Sequence, residues 1–149
     1  MTNEKGDNEL RERITKLGID FEQVQRTLPD LVERIRMGDS GSCLAGKTTR
    51  ISSVVFDERF GVGAILSDHD WYNFSGADRS AKVVTVFSPD GTKEDYQYHY
   101  YMYGARFRDE ECIRDLRLNS SSTENELVLD ADTAAGERIL RYCISSRKN

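Results

Sequence analysis

Ile51, Val54, Val55 and Phe56 are followed by Val62, Ala64, Ile65 and Leu66 and then by Val83, Val84, Val86 and Phe87, with turn residues between the groups. Clusters this short, rich in β-branched and aromatic side chains, fit pleated and half-buried surfaces and are too brief for buried helices. They predict strands. The clearest turn is Ser88-Pro89-Asp90-Gly91, in which Pro89 presets φ, Asp90 tolerates the next position and Gly91 accepts the left-handed conformation of a hairpin bulge. It predicts a hairpin joining 82–88 to 92–103. A second tight turn is expected at Phe60-Gly61-Val62-Gly63, because two glycines one residue apart suit a sharp bend and a close approach of strands. Gly61, Gly63, Pro89 and Gly91 are thus the expected structural turns of one small antiparallel β-barrel over residues 49–118. Within it, residues 67–80 read as a long polar loop carrying Trp71, Tyr72 and Phe74. Residues 107–118 read either as the closing strand or as the start of a short helix at Asp109.

The flanks speak a different language. Over residues 1–38, Leu10, Ile14 and Leu17 fall at i, i+4 and i+7, and Gly18 stops the stripe. Asp20 is placed to cap a second turn with Phe21, Val24 and Leu28, and Pro29 opens a third with Leu31, Val32 and Ile35. Helices so short are marginal alone, so they are expected to dock on the barrel, to pair with a copy of themselves in a homodimer, or to serve as a partner-binding arm. Residues 39–48 read as a linker. Residues 119–149 read as a second linker followed by an edge strand at Leu127–Leu129 or a helix capped by Asp132 and carrying Ile139, Leu140 and Cys143. The fold class is α+β: a barrel with an N-terminal helical extension.

The run Val55-Phe56-Asp57-Glu58-Arg59-Phe60-Gly61-Val62-Gly63-Ala64-Ile65-Leu66, with Val84-Thr85-Val86-Phe87 and Asp90-Gly91 after it, resembles the SH3/Tudor-like small barrels that end UvrD/PcrA-type helicases. It also resembles the RNA-polymerase-interacting domain of CarD and Mfd-type proteins. The resemblance spans about half the chain and brings no catalytic residue with it. It implies a module that binds a nucleic-acid-processing machine such as RNA polymerase or a helicase. The loop over residues 67–81 is longer than in those families, and the charge is acidic.

The net charge of −5 is spread along the chain, and no segment is basic. Phosphate neutralisation by Lys and Arg supplies most non-specific nucleic-acid affinity, so a protein partner is the expectation and direct nucleic-acid binding is disfavoured. No apolar run approaches a membrane span, and the N-terminus lacks the order of a signal peptide, so a cytoplasmic location is expected. Cys43, Cys112 and Cys143 are odd in number and widely spaced, which predicts reduced thiols and no metal site.

Chemistry-bearing motifs are few. Gly41 to Thr48 satisfies the phosphate-binding-loop pattern, with Gly46, Lys47 and Thr48 as its nucleotide-contacting end. Such a loop must follow a buried strand and open a helix, whereas a helix is expected before it and a strand after it. His69 and His99 form no catalytic constellation with a nucleophile, so no enzyme activity and no cofactor are expected. The tract Tyr96, Tyr98, Tyr100, Tyr101, Tyr103 holds five phenols in eight positions. In an extended strand Tyr96, Tyr98 and Tyr100 share one face, serving either sheet packing or recognition. With Trp71, Tyr72 and Phe74 they form the candidate partner-binding set, and the loop aromatics near Asp68, Asp70 and Asp78 could also cage a cation. Two further readings are an acidic, phage-type inhibitor that occupies the basic cleft of a nucleic-acid-binding enzyme and a nucleotide binder acting through Lys47.

Overall fold

The structure, a computed structural model, describes residues 4–38, 48–72, 78–102 and 113–144. Three helices, α1 (Glu4–Lys16), α2 (Phe21–Thr27) and α3 (Pro29–Gly38), precede seven strands. The strands β1 (Thr48–Asp57), β2 (Val62–Tyr72), β3 (Asp78–Phe87) and β4 (Lys93–Met102) form one antiparallel meander. The strands β5 (Asp115–Leu118), β6 (Glu126–Thr133) and β7 (Gly136–Cys143) form a second.

The first sheet is apolar on both faces, and each face has its own cover. Val55, Val62, Ala64, Leu66, Val84 and Val86 join Leu116, Leu127, Leu129, Ala131, Leu140 and Tyr142 of the second sheet in one buried cluster. Ile51, Phe56, Ile65 and Phe87 join Leu10, Ile14, Phe21, Val24, Leu31 and Ile35 of the helices in the other. Strand alternation divides neighbours between them: Leu66 faces the second sheet and Ile65 the helices, both fully buried. A register shift between Ile51 and Ser53 explains why Ile51 shares a face with Phe56 although five residues separate them. An extra residue in one strand reverses the alternation.

The three expected helices are present, with one exception in the first apolar stripe. Asp20 accepts hydrogen bonds from the Glu22 and Gln23 amides as N-cap of α2, and α3 opens on Pro29. Gly18 ends the first stripe at φ +79°. Leu17, expected in that stripe, is 49% exposed, and Ile19 takes the buried place beyond the turn. Because these stripes are buried against the first sheet, the helices dock within the chain.

Several expectations are corrected. The expected single barrel over 49–118 is two sheets, and β5 pairs with β6 instead of closing the first meander. Two side-chain seams nevertheless draw the sheets together. At one, the Ser53 hydroxyl accepts a hydrogen bond from the Leu116 amide at 3.1 Å and donates to the Asp115 carboxylate at 2.9 Å, substituting for ladder bonds between β1 and β5. At the other, Tyr142 of β7 meets Tyr96 and Tyr98 of β4. The segment after residue 119 is neither an edge strand alone nor a helix. Leu127–Leu129 lie in the central strand of the second sheet, and the residues after Asp132 turn through Ala134 and Ala135 into β7. Gly136 at φ +118° makes this tight hairpin possible, and Leu140 and Tyr142 alternate inward as a strand demands.

The two glycines of Phe60-Gly61-Val62-Gly63 act differently from one another. Gly61 takes φ +67° in the turn, where its amide bonds to the Asp57 carbonyl at 2.9 Å. Asp57, 2% exposed, also receives the Arg59 guanidinium through two hydrogen bonds of 3.1 and 2.9 Å. Gly63 sits under a helix: a Cβ there would lie 2.5 Å from Leu31 Cδ1 and 3.1 Å from the Val55 carbonyl oxygen. It is a docking point for α3 and not a barrel corner. The Pro89–Gly91 turn stands as expected, with Gly91 at φ +93°.

Candidate protein-interaction site

The long loop expected over residues 67–81 is instead ordered hairpin for most of its length. β2 runs on to Tyr72 and β3 begins at Asp78, with Trp71 opposite Arg79 and Tyr72 opposite Asp78. Continued β pairing absorbed the polar residues, which sequence composition alone had marked as loop. Phe74 lies outside the described residues. Six residues of β2 lie beyond Leu66, which extends the sheet by roughly 20 Å past the last position of the cluster shared with the second sheet. β1 reaches Thr48 opposite Asp70, and β4 reaches Met102 opposite Arg79, so this distal end is four strands wide.

The register divides the candidate aromatics between two faces. β2 pairs with β3 without interruption, so the positions of His69 and Trp71 follow Ile65 on the helix-side face, and Tyr72 follows Leu66 on the other. In β4 the register shifts opposite Lys82 and Val83, where Tyr98 is the extra residue. Tyr96, opposite Val84, lies on the sheet-facing side, and past the bulge Tyr100, opposite Ala81, falls on the helix side with Trp71. The expectation that Tyr96, Tyr98 and Tyr100 share a face is therefore corrected: one bulged residue reverses the parity.

Tyr96 and Tyr98 are packing residues. Both are half-buried against the core between the sheets. The Tyr96 ring lies 4.6 Å from that of Tyr142, the Tyr98 and Tyr142 hydroxyls are hydrogen-bonded, and the Arg138 guanidinium rests over the Tyr98 ring at 5.5 Å. The hydrogen bond from Tyr96 to the Glu94 carboxylate, with burial, pushes the Tyr96 phenol up to about 12. Burial first, and the bond with Tyr98 second, push the Tyr142 phenol well above the ordinary tyrosine range. Tyr142 and Arg138 are absent from the expected site because a helix capped by Asp132 is the competing expectation for this segment. The alternation Leu140, Tyr142, Ile144 was the available signal.

At the base of the distal end, Lys82 pairs with Asp68 at 2.5 Å across β2 and β3, with 18% and 27% of their side chains exposed. Asp68 is thus the partner of a lysine from its own sheet. Among the described residues no three His, Cys, Asp or Glu side chains are grouped to hold a metal ion, and no helix is long and apolar enough to cross a membrane. Of the phosphate-loop pattern, Gly41 to Lys47, including Gly46, lie outside the described residues. Thr48 opens β1, and α3 precedes the segment. This order, helix then strand, is the reverse of what a phosphate-binding loop uses. Cys143 is a free, exposed thiol, and Cys43 and Cys112 lie outside the described residues.

No protein-family model matches the chain, and neither a curated protein nor a solved structure matches it.

Proposed function

We propose that this chain is a non-enzymatic protein-binding module, an adaptor or regulator of a nucleic-acid-processing machine, and that it engages its partner through the distal end of the first sheet. The supporting observation is the extension of four paired strands past the core, on which the positions of Trp71 and Tyr100 share one face. Aromatic residues on paired strands are held at low entropic cost, which suits them as anchors of an interface. The two sheets joined along the Ser53 and Tyr142 seams are read as an opened small barrel, in keeping with the SH3/Tudor-like resemblance. The acidic balance of the chain favours a basic protein surface over a nucleic acid. Because Tyr96 and Tyr98 serve packing, the recognition set narrows to Trp71 and Tyr100, with Tyr72 on the opposite face.

The test is affinity capture from a lysate with identification of the bound proteins by mass spectrometry, comparing the native chain with Trp71→Ala/Tyr100→Ala. The double variant should keep its melting temperature and lose the partner, with binding weakened at least about tenfold for two interface aromatics. Undiminished capture by a folded double variant would remove this surface from consideration.

A further inference from the structure

We propose that β7 is a self-pairing edge, through which two copies of this chain join their second sheets into one antiparallel sheet about a two-fold axis at Ile139. Among the described residues β7 is hydrogen-bonded to a single strand, β6, from Glu126↔Cys143 to Thr133↔Gly136 without a register shift, and its contacts with Tyr96 and Tyr98 of β4 come from the even-numbered Arg138 and Tyr142. The Ile144 amide bonds to the Asn125 carbonyl at 2.9 Å, and this fixes the phase of the ladder. Even-numbered residues of β7 direct their backbone groups to β6, and Glu137, Ile139 and Arg141 direct theirs to the open edge. The same three residues occupy the face of the second sheet that points away from the core, where Ile139 is 55% exposed.

Unpaired edges are normally guarded by charge or by bulges. Of the remaining edges among the described residues, β1 and β5 meet at the Ser53 seam, and β4 carries both guards: a bulge at Tyr98, and Glu94 with Asp95 near its start. The charges of β7 do not guard it against its own copy. In an antiparallel pairing centred on Ile139, Glu137 stands opposite Arg141 of the second copy, Arg141 opposite the second copy's Glu137, and the two Ile139 side chains meet at the axis. All three are hydrogen-bonded pairs, giving about six backbone bonds across the edge. A register two residues away sets Ile139 against a charge and loses both opposite-charge pairs, so the sequence selects one alignment. Within one copy these charges already touch acids and bases of neighbouring strands: Glu137 lies 3.2 Å from Arg117, and Arg141 lies 2.8 Å from Glu126. These are exposed pairs that can be shared with an incoming strand. The occupant that fits is therefore a second copy, in an isologous contact.

The experiment is sedimentation of the full chain across micromolar to millimolar concentrations, for the native sequence, Ile139→Lys, Glu137→Arg, Arg141→Glu and the double Glu137→Arg/Arg141→Glu. All four variants change exposed residues, so melting temperature serves as the control for folding. The native chain should show a monomer–dimer equilibrium. Each single reversal should weaken it by about tenfold, since it creates two like-charge pairs at once, and the double reversal should restore it. Ile139→Lys should abolish it. A native chain that stays monomeric throughout, or a dimer indifferent to Ile139→Lys and to the single reversals, would overturn the proposal. Trp71→Ala/Tyr100→Ala should leave the dimer unchanged, which separates this edge from the distal surface.

Discussion

At the scale of single residues, Gly63 and Tyr142 do most to define the structure, and each is open to a direct test. Gly63 leaves no room for a side chain, because Leu31 above it is fully buried and the Val55 carbonyl lies beside it. Gly63→Ala is expected to destabilise the protein by about 1–3 kcal/mol, the usual cost of overpacking, as measured by denaturant unfolding. An unchanged stability would mean that α3 does not rest on β2 at this point. Tyr142 and Tyr96 give the fold an alkaline limit. An unfolded tyrosine ionises near 10.0, whereas the Tyr96 phenol is raised to about 12 and that of Tyr142 further. The folded state thus binds these protons more tightly, so their contribution is fully present below about pH 10 and falls as the pH rises above it, through about 12 for Tyr96 and further for Tyr142. Tyr142→Phe should show a shallower loss of stability over this interval than the native chain, followed by chemical denaturation at each pH. Equal slopes would argue against a buried phenol.

At the scale of elements, what could be read in advance follows from where the relevant signal lies. The helices announced themselves through local cues, the Asp20 cap, the Pro29 start and the Gly18 stop, and these are where the structure has them. The strands from Ile51 to Phe87 were equally plain, because β-branched clusters and turn residues act over short stretches. The distal halves of β2 and β3 were not. Ser67, Asp68, His69 and Asp70 have the composition of a loop, and only pairing with a neighbouring strand makes them β. The parity of Tyr100 was hidden for the same reason, since a bulge is a relation between two strands and leaves no mark in the composition of one. The C-terminal hairpin was misjudged where only Ala134 and Ala135 separate its strands, a turn whose positive φ falls on Gly136 at the start of β7. The junction of the two sheets at β1 and β5 depends on the Ser53 seam. Ser53→Ala leaves the buried Leu116 amide without its acceptor, and a loss of about 1–3 kcal/mol is expected in urea unfolding. A neutral substitution would show that β1 and β5 are held by apolar packing alone.

At the scale of the whole molecule, the fold is one sheet with two occupied faces: helices on one side, a second sheet on the other. Among the described residues, the distal end of that sheet and the outer edge of β7 are the places where the two proposed contacts are to be tested. The covered faces also explain why a chain with 38% hydrophobic residues can still be built around a doubly buried sheet: two thin clusters share the strands β1, β2 and β3. Ile65 and Leu66 are adjacent in sequence and belong to different clusters, one on each face of the first sheet. Methyl-labelled nuclear Overhauser spectroscopy reads this directly. The account predicts that the Ile65 methyls contact helix residues such as Leu31 and Val24, and that the Leu66 methyls contact Leu127, Leu129 or Leu140 of the second sheet. Contacts from both residues to the same set of partners would contradict it.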